Sequence, residues 1–445
     1  MKRRSSLTLI GFFVSALAAL AQGPSGPDVR VFTAYREKLA ALIPDGIAVL
    51  EGREYGWLTG VYNVDAKLIF VPPSVGAKAP DPAAWKTTLY LPLKDPRAGV
   101  WDDPRLSYGD DVLKAAGIEN SAPQSAFIVD IAKLSSITDT VYVPYRGLPV
   151  VGGSEVTVPL RLRDTVVRLL PGLRVKNLAP ILEDLRWAKH PLEIEIMRRS
   201  CAITAEAFME ASRLAEPGLF ESDLDAAASY VMRREGAQHT FLIIGAGPNS
   251  CILHHSDNDR RLEDGDLVVI DIGNTYGTMG TDLTRTIPVS GTFSVEQRKV
   301  YDIVLEAQRK AIAGVKPGVT LAEVHRTARE VIDKAGYGKY FIHGTSHTLN
   351  GGAAVRARDP LLQGLLFFKE PGDRYAADRN PAREGTMFTV EPGIYIPEKN
   401  LGVRIEDSVL VTQNGHEVLT GAAPKDAADV EKLMRERCRY VREKE

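Results

Sequence analysis

The apolar positions of this chain follow several patterns in succession. Val31 to Leu42 repeats at helical spacing. Four short apolar runs come next, Ile47–Leu50, Leu68–Val71, Thr88–Leu91 and Phe127–Val129, each bounded by turn residues and predicted as strands. Strands alternating with helical patches indicate an α/β domain over residues 28–182. Near 183–191 the pattern changes to a long amphipathic helix, with Ile194, Met197, Cys201, Thr204 and Phe208 on one face. Two stretches further on share a layout: GDLVVIDIGNTYGTMGTDLTRTIPV (265–289) and GTMFTVEPGIYIPEKNLGVRIEDSVLV (385–411). Each is an apolar run with one acid inside it, then a turn, then a returning strand with a second acid. Glu391 follows Asp271 by 120 positions, and Glu406 follows Asp282 by 124.

The repetition extends beyond these hairpins. AEPGLFESDLDAAASYVMRREGA (215–237) matches VKPGVTLAEVHRTAREVIDKAGY (315–337), with the Pro-Gly pairs and the terminating Gly236 and Gly336 each 100 residues apart. A histidine-bearing segment and then an acidic hairpin follow in both halves. The second region, 183–445, is therefore expected to be a two-fold repeated α+β domain, with helices outside and a curved antiparallel sheet inside, and its site at the pseudo-symmetric centre.

At 445 residues the chain exceeds one ordinary domain, so two domains fit its length. A net charge of −2 gives no electrostatic argument for nucleic acid or an anionic membrane. Lys2, Arg3 and Arg4 precede an apolar run from Leu7 to Leu20, and Ala19-Leu20-Ala21 is an A-x-A cleavage pattern. That run is too short for a permanent anchor. Residues 1–21 are thus expected to be a signal peptide, giving a periplasmic or secreted protein cleaved near Ala21. The Arg3-Arg4 pair weakly resembles a twin-arginine signal. Cys201, Cys251 and Cys438 are few and odd in number, and none has metal-site or redox spacing, so disulfides are not the organising force.

An acid inside VVIDI or FTVEP should be buried, and a buried carboxylate is costly unless it is paired or bound to a metal. Four such acids brought together would repel one another strongly, so a multiply charged cation is expected between them. Histidine is the remaining candidate ligand: His343 and His347 lie in FIHGTSH, and His254 and His255 in the matching segment of the first half. Carboxylates with an imidazole suit Mn²⁺, Fe²⁺, Co²⁺ or Zn²⁺ in an open catalytic site, whereas calcium would want more oxygens. Four carboxylates balance two divalent ions. Other schemes fit less well. Ser346 beside His347 is not a G-x-S-x-G elbow, and Gly245-Ala-Gly247 lacks the lysine of a phosphate loop.

GDLVVIDIG, TDLTRTIPVSGTFSVEQRKVYDIVLEAQ, FIHGTSH, GTMFTVEPGIYI and GVRIEDSVLVT resemble the creatinase/prolidase-like "pita-bread" metallopeptidases, and among them the Xaa-Pro aminopeptidases (aminopeptidase P). GWLTGVYNVDAKLIF (56–70) and TLYLPLKDPRAGVW (88–101) are similar to that family's N-terminal domain. The resemblance covers nearly all of the chain after residue 21. It implies a proline-specific exopeptidase with two divalent ions, manganese foremost and zinc, cobalt or iron as alternatives, and a hydroxide bridging them. Asp271 would bind one ion, His347 and Glu391 the other, and Asp282 and Glu406 would bridge the pair. Glu391 would also move the proton of the bridging hydroxide. His254 and His343 would hold the substrate carbonyl and the oxyanion, and Arg404 would orient a ligating carboxylate. The implied substrate is a peptide with proline second, and the implied assembly is a dimer or tetramer.

One position departs from the family, which usually has a further histidine seven residues after its metal histidine. Here that position is Ala354, at the start of a stretch, 356–383, that is longer than usual. A slower enzyme, replacement by Arg356 or Arg358, or a metal- and peptide-binding module without turnover all follow from that substitution. A Xaa-Pro dipeptidase of the same fold is the alternative enzyme.

Overall fold

The computed structural model describes residues 28–439 apart from 52–53, 62–65, 80–85, 94–99, 101–106, 110–112, 114–115, 146–157 and 350–379. The expected signal peptide, Ala354 and most of the 356–383 stretch lie outside the described residues. No described helix is long and apolar enough to cross a membrane.

The first part is a six-stranded mixed sheet. Its strands are β1 (Ile47–Glu51), β2 (Lys67–Phe70), β3 (Thr88–Leu91), β4 (Asn120–Pro123), β5 (Thr140–Val143) and β6 (Arg174–Asn177), in the order β4-β3-β2-β1-β5-β6. The β1–β5, β5–β6 and β3–β4 pairs are parallel, and β2 runs against both of its neighbours. Alternation along β1 assigns its two faces. Ala48 and Leu50 pack with Tyr35 and Leu39 of the Val29–Leu42 helix, while Ile47 and Val49 pack with Phe127, Ile131, Val141 and Val166 on the other side. Helices therefore cover both faces of the sheet, as a largely parallel sheet requires.

The expected strand at Phe127–Val129 is instead the start of a helix, Phe127–Leu134. Phe127, Ile131 and Leu134 are its buried residues, and the i, i+4, i+7 spacing is helical. A three-residue apolar run is compatible with either periodicity, and the packing of the full FIVDIAKL segment settles it. The neighbouring strand is the polar NSAP segment, which pairs in parallel register with β3.

Helices Ala179–Trp187 and Pro191–Leu214 lead into the second part. Leu182 and Leu185 pack with the first core, and Trp187 with the second. Tyr35 of the first part donates to Glu193, whose carboxylate also accepts from the His190 amide at 2.9 Å. Lys189 N donates to Gly385 O at 2.8 Å. These bonds tie the first sheet to the start of the second acidic hairpin.

The repeat seen in the sequence has structural counterparts. Gly218 and Gly318 take φ of +101° and +93°, and Gly236 and Gly336 take +81° and +84°, a region that glycine enters without steric cost. Gly218 N bonds Leu262 O at 2.9 Å, and Gly318 N bonds Ala382 O at 2.7 Å, so both Pro-Gly turns seat against the residue that leads into the hairpin. In the first half, β7 (Gln238–Ala246), β8 (Leu267–Tyr276), β9 (Met279–Gly280) and β10 (Leu283–Pro288) form one sheet, with β8 central. In the second half the strand matching β8 is split into β11 (Met387–Val390) and β12 (Gly393–Ile396). Pro392 sits at the break and has no N–H for a ladder. β12 pairs with β13 (Leu401–Arg404), and β11 with β14 (Asp407–Thr412), which also pairs with β15 (Gly415–Val418).

The halves are joined at β10 and the β13–β14 bend. Glu406 N bonds Thr284 O at 2.9 Å, and Ser408 Oγ donates to Asp282 O at 2.7 Å. Beneath them Arg285 and Asp407, both fully buried, form an ion pair of 2.7 Å. Asp407 also accepts from Gln308 Nε2 at 2.6 Å, Thr420 Oγ1 at 2.8 Å and Lys425 Nζ at 2.6 Å. Burial by itself would push the Asp407 carboxyl up, but Arg285 and Lys425 outweigh it and hold the group down at about 2.

Removing one partner of a buried pair strands the other charge, so Asp407→Ala should destabilise the fold by about 3–5 kcal/mol in chemical denaturation. The folded value lies below the unfolded carboxylate value of about 3.9. The contribution of Asp407 is therefore present above about pH 4 and lost as pH falls toward about 2. A pH titration of stability should show that acid-side loss in the native protein and a weaker one in Asp407→Asn.

Candidate metal centre

Each acid of the two hairpins owes its place to a local cause. Asp271 lies mid-way along β8, paired with Ile243 on one side and Thr284 on the other, so its strand is buried between neighbours. Glu391 follows β11 directly, at the break before Pro392. Asp282 and Glu406 sit at bends immediately before β10 and β14. His347 is carried by an irregular segment docked on the β11 edge. Its N–H donates to Thr389 Oγ1 at 3.0 Å, its carbonyl accepts from Thr389 N at 2.9 Å, and Thr345 O accepts from Glu391 N at 2.8 Å.

These side chains converge. His347 Nε2 lies 3.2 Å from Asp282 Oδ2, 3.6 Å from Glu391 Oε1 and 3.9 Å from Glu406 Oε1. Ligand atoms of Asp282, His347 and Glu406 all fall within 4.8 Å of one another. Asp271 enters through its charge on Asp282 and Glu406, and its Oδ2 accepts from Arg404 Nη2 at 2.7 Å. Burial first, then the charges of Asp271 and Glu391, push Asp282 well above the usual carboxylate range. Glu406 is pushed up in the same way, by burial and then by Asp282, Glu391 and Asp271, with a smaller opposing pull from His347.

The donor chemistry fits divalent cations. Asp271 Oδ1, Asp282 Oδ1 and Glu406 Oε1 are buried with no hydrogen-bond partner among the described residues, a costly condition for carboxylate oxygens unless a cation meets them. Oxygen donors with one imidazole form a hard-to-borderline set.

A braced polar network surrounds the cluster. Thr284 Oγ1 donates to Glu406 Oε2 at 2.6 Å and accepts from Arg404 Nε at 3.3 Å. Arg404 Nη1 donates to Tyr395 OH at 2.9 Å, and that hydroxyl lies 2.8 Å from His343 Nε2. Burial pushes the Tyr395 hydroxyl up to about 12 despite the neighbouring Arg404 charge, so it remains a protonated donor at neutral pH. His343 Nδ1 lies 2.8 Å from Gly344 O, which places a proton on Nδ1 and leaves Nε2 to accept from Tyr395. His343 Nδ1 is 4.0 Å from Glu391 Oε2. His254 is exposed, one residue beyond Leu253, whose carbonyl accepts from Arg404 Nη2 at 3.4 Å. Its neighbour His255 is buried, with Nε2 2.9 Å from Glu221 Oε2.

Thr284, Thr389 and Tyr395 were not singled out in the sequence. Tyr395 had a usable signal, a lone hydroxyl in the apolar GIYI strand. The threonines had none, because threonine is common in strands.

Residues 195–413 match the model of metallopeptidase family M24. A Xaa-Pro dipeptidase of Pyrococcus furiosus is 40% identical over 248 residues, covering 55% of this chain and 66% of that protein. The Xaa-Pro aminopeptidase of Escherichia coli is 29% identical over 424 residues, covering 86% of this chain and 88% of that one. The structure of Pseudomonas aeruginosa aminopeptidase PepP superposes with a TM-score of 0.76 at 28% identity, over 92% of this chain and 98% of the other. The chain thus belongs to metallopeptidase family M24, and its fold is the pita-bread α+β fold with the N-terminal domain of the aminopeptidase P structures.

Proposed function

We propose that this protein is a metal-dependent exopeptidase that removes the first residue of peptides whose second residue is proline. The observation that carries the reading is the convergence of Asp271, Asp282, His347, Glu391 and Glu406 in one water-poor cluster of an aminopeptidase-P-like fold. When bound, two divalent ions, manganese foremost, supply Lewis acidity and lower the pKa of water so that hydroxide is available near neutral pH. Those five side chains would hold them. Glu391, less buried than the other acids, is the group suited to carry the proton from the attacking water to the leaving amine. Arg404 keeps Asp271 oriented, the task of a group behind a metal ligand. His343 and His254 would hold the substrate carbonyl. Tyr395 fixes the ring of His343, which must exchange one of its present hydrogen bonds to engage a peptide.

A dipeptidase is the second reading, favoured by the P. furiosus relative, which bears that name at 40% identity. With manganese, the purified protein should cleave Xaa-Pro-Xaa peptides at the first bond. Preference for Xaa-Pro dipeptides over tripeptides would transfer the assignment to the dipeptidase reading. Metal and peptide binding with no cleavage of either would mean that alanine at position 354 has cost the chain its turnover. Asp282→Asn should abolish metal-dependent cleavage. His343→Ala should lower kcat roughly 100- to 1,000-fold, and Arg404→Ala should lower metal affinity or activity roughly 10- to 100-fold.

Metal should also stabilise the fold. In metal-free protein Asp282 and Glu406 are held above their unfolded values. The folded state therefore binds more protons than the unfolded one, and stability falls as pH rises above about 4. Manganese should raise the melting temperature, by the equivalent of about 4 kcal/mol at a thousandfold excess over its Kd, and the rise should grow from pH 5 to pH 8. Asp282→Asn should raise the melting temperature of metal-free protein and remove most of the manganese response. Thermal scans with and without chelator read both effects.

A further inference from the structure

We propose that Glu221, acting through His255, is a positioning residue that fixes the segment carrying His254 beside the metal-ligand cluster. The proposal rests on the peptidase reading for its consequence but not for its geometry.

Glu221 is fully buried and is the first residue of the Glu221–Arg234 helix. Its Oε1 accepts from Ala246 N at 2.7 Å and Asn249 Nδ2 at 3.0 Å. Its Oε2 accepts from Arg260 N at 3.0 Å and lies 2.9 Å from His255 Nε2, the carboxylate oxygen being the accepting partner, and that ring nitrogen is also 3.2 Å from Asn249 Nδ2. Glu221, His255 and Asp259 could be taken for a second metal site. With four donors already on one carboxylate, no oxygen is left for a cation. The carboxylate instead joins three separate pieces of chain: the end of β7, the 247–251 turn and the 252–260 segment.

That last segment has no helix or strand. Its backbone bonds are His255 N to Ile252 O at 3.2 Å within it, and Ile252 N to Asn249 O at 2.9 Å and Glu221 N to Arg260 O at 3.0 Å at its two ends, and side chains supply further anchors between. Asn258, at φ +49°, donates to Leu242 O at 3.0 Å and Asp225 Oδ2 at 2.9 Å, and its Oδ1 accepts from Ile244 N at 3.1 Å. On the cluster side, Leu253 O meets Arg404. His254 thus stands between a carbonyl held by Arg404 and an imidazole held by Glu221. Asn258 leaves the segment attached at its far end if His255 is lost, so the specific consequence falls on residues 253–255.

The internal repeat supplies an independent argument. Offset by 100 residues, Glu221 corresponds to Leu321, a buried apolar residue of the core. Asp225 and His325, the fifth residues of their helices, also correspond, and each braces the histidine-bearing segment of its half, Asp225 through Asn258 and His325 Nδ1 through Thr345 Oγ1 at 2.8 Å. The second-half segment is held further by Arg329 Nη1 on Phe341 O at 3.0 Å and by its docking on β11. The first-half segment reaches the β7 edge through the Asn258 side chain alone, and at the leucine's place it meets a buried carboxylate that takes His255 and the Arg260 amide.

The test is a double-mutant cycle with a conservative rescue. His255→Ala should lower kcat on a Xaa-Pro-Xaa peptide roughly 10- to 100-fold, with a smaller change in KM and an unchanged manganese-induced melting shift. In a His254→Ala background the same change should cost less than about twofold, because its target is gone. His255→Gln, whose amide nitrogen can still donate to Glu221, should recover most of the activity. Amide hydrogen exchange should quicken at residues 252–256 in His255→Ala and leave β8 unaltered. An undiminished further loss in the His254→Ala background, or His255→Gln no better than His255→Ala, overturns the proposal. If the native protein cleaves no peptide, the functional reading falls by itself. Exchange then still decides the clamp, with unchanged rates at 252–256 overturning it.

Discussion

Four acids and one imidazole share a space from which water is largely excluded, and the rest of the architecture answers to that constraint. Like charges at such separations repel strongly in a low-dielectric surrounding. The protein relieves only part of this, with Arg404 on Asp271 and Thr284 on Glu406. Three carboxylate oxygens remain without a partner among the described residues. A fold that keeps such a cluster must hold it from behind, and the Arg285–Asp407 pair does so one residue beyond Glu406. There Arg285 and Lys425 both meet the Asp407 carboxylate and every acceptor is used, so a satisfied carboxylate and the unsatisfied cluster lie back to back on the same strands.

Duplication explains how one short pattern generates this geometry. Two copies of a helix, a histidine-bearing segment and an acidic hairpin meet across β10 and the β13–β14 bend, bringing distant acids into register. The copies then diverge where their tasks differ. Pro392 splits one strand and frees Glu391 from a ladder, whereas Asp271 stays in the middle of the continuous β8. Where the other half has a core leucine, Glu221 bonds His255 and the Arg260 amide of the 252–260 segment.

Much of this was legible in the chain. The acids at 271, 282, 391 and 406 stand out because an apolar strand has no other use for a charge, and the Pro-Gly turns mark the repeat by a backbone requirement that few residues meet. The helix at Phe127–Leu134 was misread because three apolar residues fit both periodicities. Glu221 was passed over because a glutamate at a helix start is ordinarily a solvated, dipole-friendly residue. Its burial becomes visible only when β7 and the 252–260 segment close over it. Tyr395 and Thr284 were hidden for a similar reason, since a strand sequence does not say which hydroxyls face a charge.

Sequence by itself determined the class of the fold, the repeat within its second part and the chemical type of its site. These depend on local preferences and on a spacing that recurs along one dimension. Tertiary structure alone decided which oxygens are left without partners among the described residues, that His343 lies between Gly344 O and the Tyr395 hydroxyl, and that His255 is buried against Glu221 while His254 is exposed. Those outcomes depend on contacts between residues distant in the chain, 34 positions for Glu221 and His255, 52 for His343 and Tyr395 and 133 for Asp271 and Arg404, and on burial that no single segment possesses before the two halves meet.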